Sequence, residues 1–220
     1  MTTWADFLSD LRSDLQDTST SPRWSDKTLW VFTKDAIRDY STWFPKRVDH
    51  DAMTLVNGVY PLPLDFLSDI YVEAPADTYL EKRQEIPGTK LRNSLIPGAY
   101  YPINFYYIAG GNLYLAFPCN EVYLTYQAAR GVPASETDND FVLEIPDADL
   151  ELIRLYVKGS VYEQMRSRQA SLDRFKLGTG PRDDNPLMPE TTNLIEMYHT
   201  KIAERFPGGN ITLFRSGRLK

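Results

Sequence analysis

The hydrophobic period of this chain changes twice, and that limits the folds open to it more than any other feature. Up to Phe44 apolar residues recur at helical spacing, between Met53 and Ala128 they alternate by twos, and from Pro146 onward the helical spacing returns. A strand-forming segment therefore interrupts a helical one, which predicts an α+β fold: a bundle of about four helices carrying an inserted small antiparallel β-sheet or sandwich. With 220 residues the chain is long enough for one elaborated domain.

The first helix is written by Trp4, Phe7, Leu8, Leu11 and Leu15 on one side of the wheel, with Asp6, Asp10, Arg12 and Asp14 on the other. Thr2 or Thr3 can cap it, and Asp6 suits its positive end. A second helix starts at the Ser25 cap, shows Leu29, Phe32, Ala36, Ile37, Tyr40, Trp43 and Phe44 to the core, and stops before Pro45. These two are expected as an antiparallel hairpin over residues 1–45. Pro146 and Asp147 open the longest helix, which runs to about Phe175 behind Ile153, Tyr156, Val157, Ser160, Val161, Gln164 and Met165. Residues 177–189, with Gly178, Gly180, Pro181, Pro186 and Pro189, read as a linker. Leu194, Ile195, Tyr198 and Ile202 mark a last helix, and residues 207–220 are left as an extended tail.

Between the helical parts, residues 46–145 read as the inserted β domain. Asn57-Gly58 between short apolar runs is a strong hairpin signal, because both central residues of a type I′ turn need positive φ. Ile70 and Val72 alternate in one strand, and Tyr101, Ile103, Phe105 and Tyr107 in another. Gly110-Gly111-Asn112 turns the latter into Leu113, Leu115 and Phe117, and Val122, Leu124, Tyr126 and Ala128 form a further strand. Residues 75–98 lack a period and read as a long excursion between strands.

Little raw material for catalysis is present. His50 and His199 are the only histidines, and both read as surface or packing residues rather than ligands or bases. Cys119 reads as a small apolar residue at a strand end, and its solitude, with an N-terminus unlike a secretory signal, leads us to expect a reducing, intracellular folding site. Counted from Glu136, an EF-hand loop would need glycine and glutamate where Phe141 and Asp147 stand. A looser metal site, a solvated loop or a negatively charged interface remain as readings of the acidic stretch 136–151. No phosphate-cradling glycine loop is followed by Lys-Ser or Lys-Thr. A net charge of −6 argues against long-range attraction to nucleic acid, and no apolar run approaches the ~20 residues that cross a bilayer. The sequence thus predicts no catalytic, cofactor-binding or metal residues.

The aromatic density around Tyr100, Tyr101, Phe105, Tyr106, Tyr107, Tyr114, Phe117, Tyr123 and Tyr126 has two readings. One face of each strand can fill the core while polar-tipped tyrosines line a wet protein interface, or the tyrosines can stack sugars as a carbohydrate-binding or tail-fibre-like module. A small hydrolase built on carboxylates is a more distant alternative and needs two carboxyl groups with separated pKa values in one cleft.

Five stretches taken in order resemble the head–tail connector (adaptor) proteins of tailed bacteriophages. They are Ser25-Asp26-Lys27-Thr28-Leu29 through Asp39-Tyr40; Tyr60-Pro61-Leu62-Pro63-Leu64-Asp65-Phe66-Leu67; Leu113-Tyr114-Leu115; Val122-Tyr123-Leu124-Thr125-Tyr126; and Ile145-Pro146-Asp147 leading into Leu152-Ile153-Arg154-Leu155-Tyr156. The resemblance covers most of residues 24–175. It implies a structural virion protein of the neck, assembled in the host cytoplasm, whose copies form a ring, commonly a dodecamer. Such a ring joins the capsid's portal protein to a tail or neck protein and leaves a channel through which DNA passes without specific binding. Neither catalytic residues nor a membrane partner come with it. The tail offers a candidate portal contact: Ile211, Leu213, Phe214, Arg215 and Arg218 form an apolar segment among cations behind Gly208-Gly209, able to add as a strand to a partner's edge.

Overall fold

The computed structural model describes residues 1–56, 59–82, 105–115, 119, 121–175 and 187–205. The chain is α+β and divides into two compact units, residues 1–43 with the chain from Arg130 onward, and Phe44–Ala129. Residues 130–145, grouped with the β segment in the sequence reading, thus belong to the helical unit.

In the helical unit, α1 spans Trp4–Asp14 and is capped by Thr3. The Thr3 hydroxyl accepts from the Asp6 N–H at 3.2 Å while the Asp6 carboxylate reaches back to the Thr3 N–H, a reciprocal capping box. The helix ends with Gln16 at φ 54°, Gln16 N–H bonding Ser13 O and Asp17 N–H bonding Arg12 O. That is a Schellman ending built without glycine, so the sequence carries no signal for it. Asp17 is buried beyond it and accepts from Arg23 N at 2.7 Å, Trp24 N at 3.2 Å and Arg12 Nη1 at 3.1 Å. Arg12 Nη2 also donates to Trp24 O at 3.0 Å and to Asp26. The connection into the next helix is thereby tied down by one carboxylate.

Helix α2 covers Asp26–Trp43, with Ser25 Oγ accepting the Thr28 N–H at 3.2 Å as its cap. Its buried face is Leu29, Thr33, Ala36, Ile37, Tyr40 and Ser41, and the two buried hydroxyls satisfy themselves on Leu29 O and Ile37 O. The expected α1–α2 hairpin is not the observed pairing: α2 packs on α3 (Leu150–Phe175), and α3 on α4 (Leu187–Arg205). Instead, α1 is held by residues 136–143, through Trp4 N to Phe141 O at 2.8 Å, Trp4 Nε1 to Glu136 O at 3.1 Å and Leu143 N to Thr2 O at 3.0 Å. Its Asp10 and Asp14 also face Arg154 and Lys158 of α3.

A 3₁₀ turn, Asp147–Asp149, leads into α3, which is the longest helix and reaches Phe175 as the sequence predicts. Its burial is wider than the expected single stripe. Leu152, Leu155 and Gly159 are buried along with Ile153, Val157 and Val161, while Tyr156, Ser160, Gln164 and Met165 are only partly covered. Helices pack on two sides of α3, so one stripe cannot describe it. A Cβ at Gly159 would meet Ile195 Cγ1 at 3.0 Å, so this residue permits the close approach of α4. Helix α4 begins at Leu187, eleven residues before its buried Tyr198. Pro189, assigned to the linker in the sequence reading, sits in its first turn, where a missing N–H breaks no helical bond.

In the second unit, β1 (Lys46–Met53), β7 (Val122–Ala128) and β3 (Phe66–Glu73) form an antiparallel sheet with β7 central. β2 (Tyr60–Pro61), β6 (Asn112–Leu115), β5 (Phe105–Ala109) and β4 (Glu81–Lys82) form the other, in that order. Its β4–β5 pair is parallel, a departure from the antiparallel expectation that the long connection between them permits. One core cluster draws Tyr60, Val72, Tyr106, Leu113 and the four predicted β7 residues from both sheets, so the arrangement is a small sandwich.

Turn chemistry was read correctly where glycine marks it: Gly110 and Gly111 have φ of 56° and 76°, joining β5 to β6. Asn57-Gly58 lies outside the described residues, but Val56 and Val59 on either side exchange both backbone bonds, at 2.8 and 3.1 Å. Two strand phases differ from expectation. Leu67 and Ile70 are the unpaired residues of bulges in β3 and stand 41% exposed, and in β5 it is Tyr106, not Phe105 or Tyr107, that enters the core. Of the excursion 75–98, residues 75–82 lie back on β3, Leu80 N bonding Val72 O at 2.9 Å; residues 83–98 lie outside the described set.

Candidate interaction surfaces

The residues with chemical potential are occupied structurally. His50 sits at φ 56° on the β1 bulge, its ring stacked 4.1 Å from Tyr123 and its Nδ1 3.6 Å from the buried Glu73 carboxylate. His199 is exposed on α4 and edge-on to Tyr198. Cys119 is half-buried against the sandwich core, and its carbonyl accepts the Tyr60 hydroxyl. Among the described residues, no group of three or more His, Cys, Asp or Glu is placed to hold a metal. A cleft of about 300 Å³ between α1 and α3 is lined by Asp14, Glu151, Arg154, Leu155 and Lys158, two acids against two bases. Lys158 pairs with Asp14 at 3.2 Å and Glu151 with Lys201 at 2.5 Å, so little charge is left to bind an ion.

The tyrosines divide by setting. Tyr106 and Tyr126, two of the aromatics read as a possible surface, are buried, as is Tyr60, each with its hydroxyl on an acceptor. Tyr106 donates to Asp69 at 2.5 Å and Tyr126 to Asp65 at 3.1 Å. Burial, reinforced by Asp65, pushes the Tyr126 hydroxyl up to about 12, and burial with the Asp69 bond raises Tyr106 further. Burial would favour a neutral Asp69, but the Lys82 and Tyr106 hydrogen bonds prevail and hold its carboxyl below the usual range. Tyr107 and Tyr114 form a cross-strand stack at 4.8 Å, and Tyr71 and Tyr79 an edge contact at 5.1 Å. Tyr100, Tyr101 and Phe117 lie outside the described residues.

The acidic stretch 136–151 is in large part an internal fastening. Asp138 accepts from Ala134 N, Glu144 from Gly131 N, and Asp147 from the Thr2 hydroxyl. Asp149 accepts from Tyr40 at 2.5 Å and pairs with Arg205. Burial raises Tyr40 above its ordinary value, the nearby Arg130 and Arg205 opposing that shift. The tail residues Ile211, Leu213, Phe214, Arg215 and Arg218 lie outside the described residues.

Two helix faces that the sequence reading passed over stand out on the helical unit. On α2, Lys27, Val31, Lys34 and Arg38 run along the side opposite the core, Lys34 lying 3.7 Å over the Trp30 ring. On α4, Asn193, Met197, Thr200 and Glu204 follow the same i, i+4, i+7, i+11 spacing, with Glu196 beside them, and all five are exposed. The signal was the complement of the apolar stripe, basic along the α2 row with Asp35 at its side and acidic on α4.

A family model described as SU10 adaptor protein matches residues 2–185, which spans α1 to the end of α3 and all of the β unit. The chain belongs to that family, and with it to the phage adaptor proteins. No curated protein matches it.

Proposed function

We propose that this member of the SU10 adaptor protein family is a structural component of the virion neck, whose copies form a ring, commonly twelve-fold, between the portal vertex and the tail. The family match over residues 2–185 carries this reading. The helical unit supplies the packed body of the ring, the tail at residues 207–220 reaches the portal, and a tail or neck protein docks on the far side. Ile211, Leu213 and Phe214 add as a strand to a portal edge, with Arg215 and Arg218 beside acidic partner groups. Duplex DNA passes through the lumen without being held. The net charge of −6 favours this, because lysines and arginines along a channel would accumulate phosphate contacts. Assembly takes place in the host cytoplasm, and no reaction is catalysed.

The test is truncation. Removing residues 208–220 leaves a folded protein that no longer attaches to purified portals in a sedimentation assay, whereas the full chain does. Undiminished attachment of the truncated chain refutes the role of the tail, and a full chain absent from the necks of assembled particles refutes the function itself.

A further inference from the structure

We propose that the outer face of α2 docks on the outer face of α4 of a neighbouring copy, Lys27, Lys34 and Arg38 lying against Glu196 and Glu204 around a Val31–Met197 contact. This rests on the ring reading and names the surfaces that close it.

Several charged groups of each helix already have partners inside the subunit. On α2, Asp26 is taken by Arg12 and Asp39 by the Tyr198 hydroxyl at 2.5 Å. On α4, Lys201 is taken by Glu151 at 2.5 Å and Arg205 by Asp149. Asp26, Lys201 and Arg205 thus have ion-pair partners within the subunit, and Asp39 a hydrogen-bond donor. What α2 turns outward is basic, with one acid, Asp35, 3.7 Å from Arg38; what α4 turns outward is acidic.

The two stripes also match in length and order. Each spans twelve residues, a rise of about 16 Å over its steps of ~1.5 Å. Each places its apolar residue second, Val31 at 37% and Met197 at 46% exposure; Lys27, Lys34 and Arg38 flank Val31 along its row, while Glu196 adjoins Met197 and Glu204 lies two turns on. Helices packed 8–10 Å apart at a shallow angle keep such rows in register, within reach of Lys and Glu side chains. A single exposed Val or Met is ordinary surface; three bases around Val31 and two acids around Met197 are the charge complementarity that selects a second copy as the occupant. In the proposed ring the contact is heterologous, α2 of one copy on α4 of the next and repeated around the circle, rather than reciprocated between two copies.

Charge exchange tests this. The full chain carrying Lys27→Glu and Lys34→Glu has two acidic faces, and the chain carrying Glu196→Lys and Glu204→Lys has two basic ones. Each variant, checked as folded by circular dichroism, should need at least about tenfold more protein than wild type to assemble, by native mass spectrometry at low salt. An equimolar mixture should restore assembly with the two chains alternating, and so should all four substitutions in one chain. In assembled necks, a Val31→Cys, Met197→Cys chain should give disulfide-linked multimers on oxidation. Should a reversal unfold the chain, this cysteine pair decides instead. Reversed chains that enter necks as readily as wild type, without cross-linking of the cysteine pair, overturn the inference and leave the neck function standing. A wild-type chain missing from necks overturns that function instead.

Discussion

Asp17 offers the sharpest test of how the helical unit is held together. Replacing it with alanine removes the acceptor of Arg23 N and Trp24 N and one partner of Arg12, all in a buried setting. Each stranded backbone N–H costs about 1–3 kcal/mol, and breaking a buried ion pair about 3–5 kcal/mol when nothing else compensates. Here Arg12 keeps Asp26 and Trp24 O, which discounts the second figure heavily. Asp17→Ala is therefore expected to lose about 3–4 kcal/mol, a large share of the ~5–15 kcal/mol that holds a typical domain. Asp17→Asn keeps one acceptor oxygen but turns an NH₂ toward other donors, and should lose about 2–3 kcal/mol. The readout is unusually clean. All four tryptophans, Trp4, Trp24, Trp30 and Trp43, lie in the helical unit, so urea unfolding followed by tryptophan fluorescence reports that unit and not the sandwich. A cycle with Arg12→Met should show about 1–3 kcal/mol of coupling. A loss below about 1 kcal/mol for Asp17→Ala, or an asparagine variant as stable as wild type, would refute the reasoning.

Two further perturbations probe the α3–α4 region. Burial, then the Asp39 bond, raises the Tyr198 hydroxyl above its ordinary value, so its contribution is complete below pH ~10 and is lost as pH rises, the unfolded chain releasing the proton first. Stability by urea titration should fall by up to about 1.4 kcal/mol per pH unit from this group above pH ~10, and Tyr198→Phe should flatten the slope; equal slopes in both proteins contradict the assignment. At Gly159 an alanine Cβ meets Ile195 Cγ1 at 3.0 Å, but that side chain is 40% exposed and can move aside, while helix propensity gains about 1 kcal/mol. Gly159→Ala should thus unfold within about 1 kcal/mol of wild type and Gly159→Leu about 1–3 kcal/mol below it, and a reversed order would show that α4 does not approach α3 here.

The sequence made legible those features that local chemistry dictates. Thr3 and Ser25 cap their helices, Gly110-Gly111 turns with two positive φ values, and Val122, Leu124, Tyr126 and Ala128 all face inward, each following from residue type and period. Features set by neighbours were not legible. Period two fits Tyr106 inward as well as Phe105 and Tyr107, because aromatics occupy both faces, and only pairing with β6 decides. The bulges that turn Leu67 and Ile70 outward shift the phase with no glycine to announce them. Burial around α3 needs knowledge that helices flank it on two sides, and an aspartate in a polar connection gives no hint that, like Asp17, it is buried. Of the surfaces, the charged rows on α2 and α4 could be found by reading the wheel opposite the core. That Asp26 on α2 and Lys201 and Arg205 on α4 are paired inside the subunit could not.

Four pairs recur through the molecule with the same chemistry: Tyr40–Asp149, Tyr106–Asp69, Tyr126–Asp65 and Tyr198–Asp39. In each the phenol ring is buried and its hydroxyl reaches a carboxylate far away in sequence, so one side chain contributes both apolar burial and a directional bond. This is where much of the tyrosine and part of the acid content goes, which removes those residues from any sugar-stacking platform. The consequence for a ring is geometric. When subunits join through two different faces, the angle between those faces is repeated at every contact, and a small error accumulates around the circle. Tyr198 on α4 bonds Asp39 on α2, joining the two helices whose outer rows are proposed to meet those of the neighbours, while Asp149 holds Tyr40 and Arg205 from the same two helices. The bonds are directional and partly shielded from water, so they resist hinge motion between α2 and α4 better than apolar contact, which tolerates sliding. In the proposed ring, Tyr198–Asp39 and Tyr40–Asp149 supply such directional fastening around α2 and α4 where leucines would only have filled the space, while Tyr106–Asp69 and Tyr126–Asp65 do so within the sandwich.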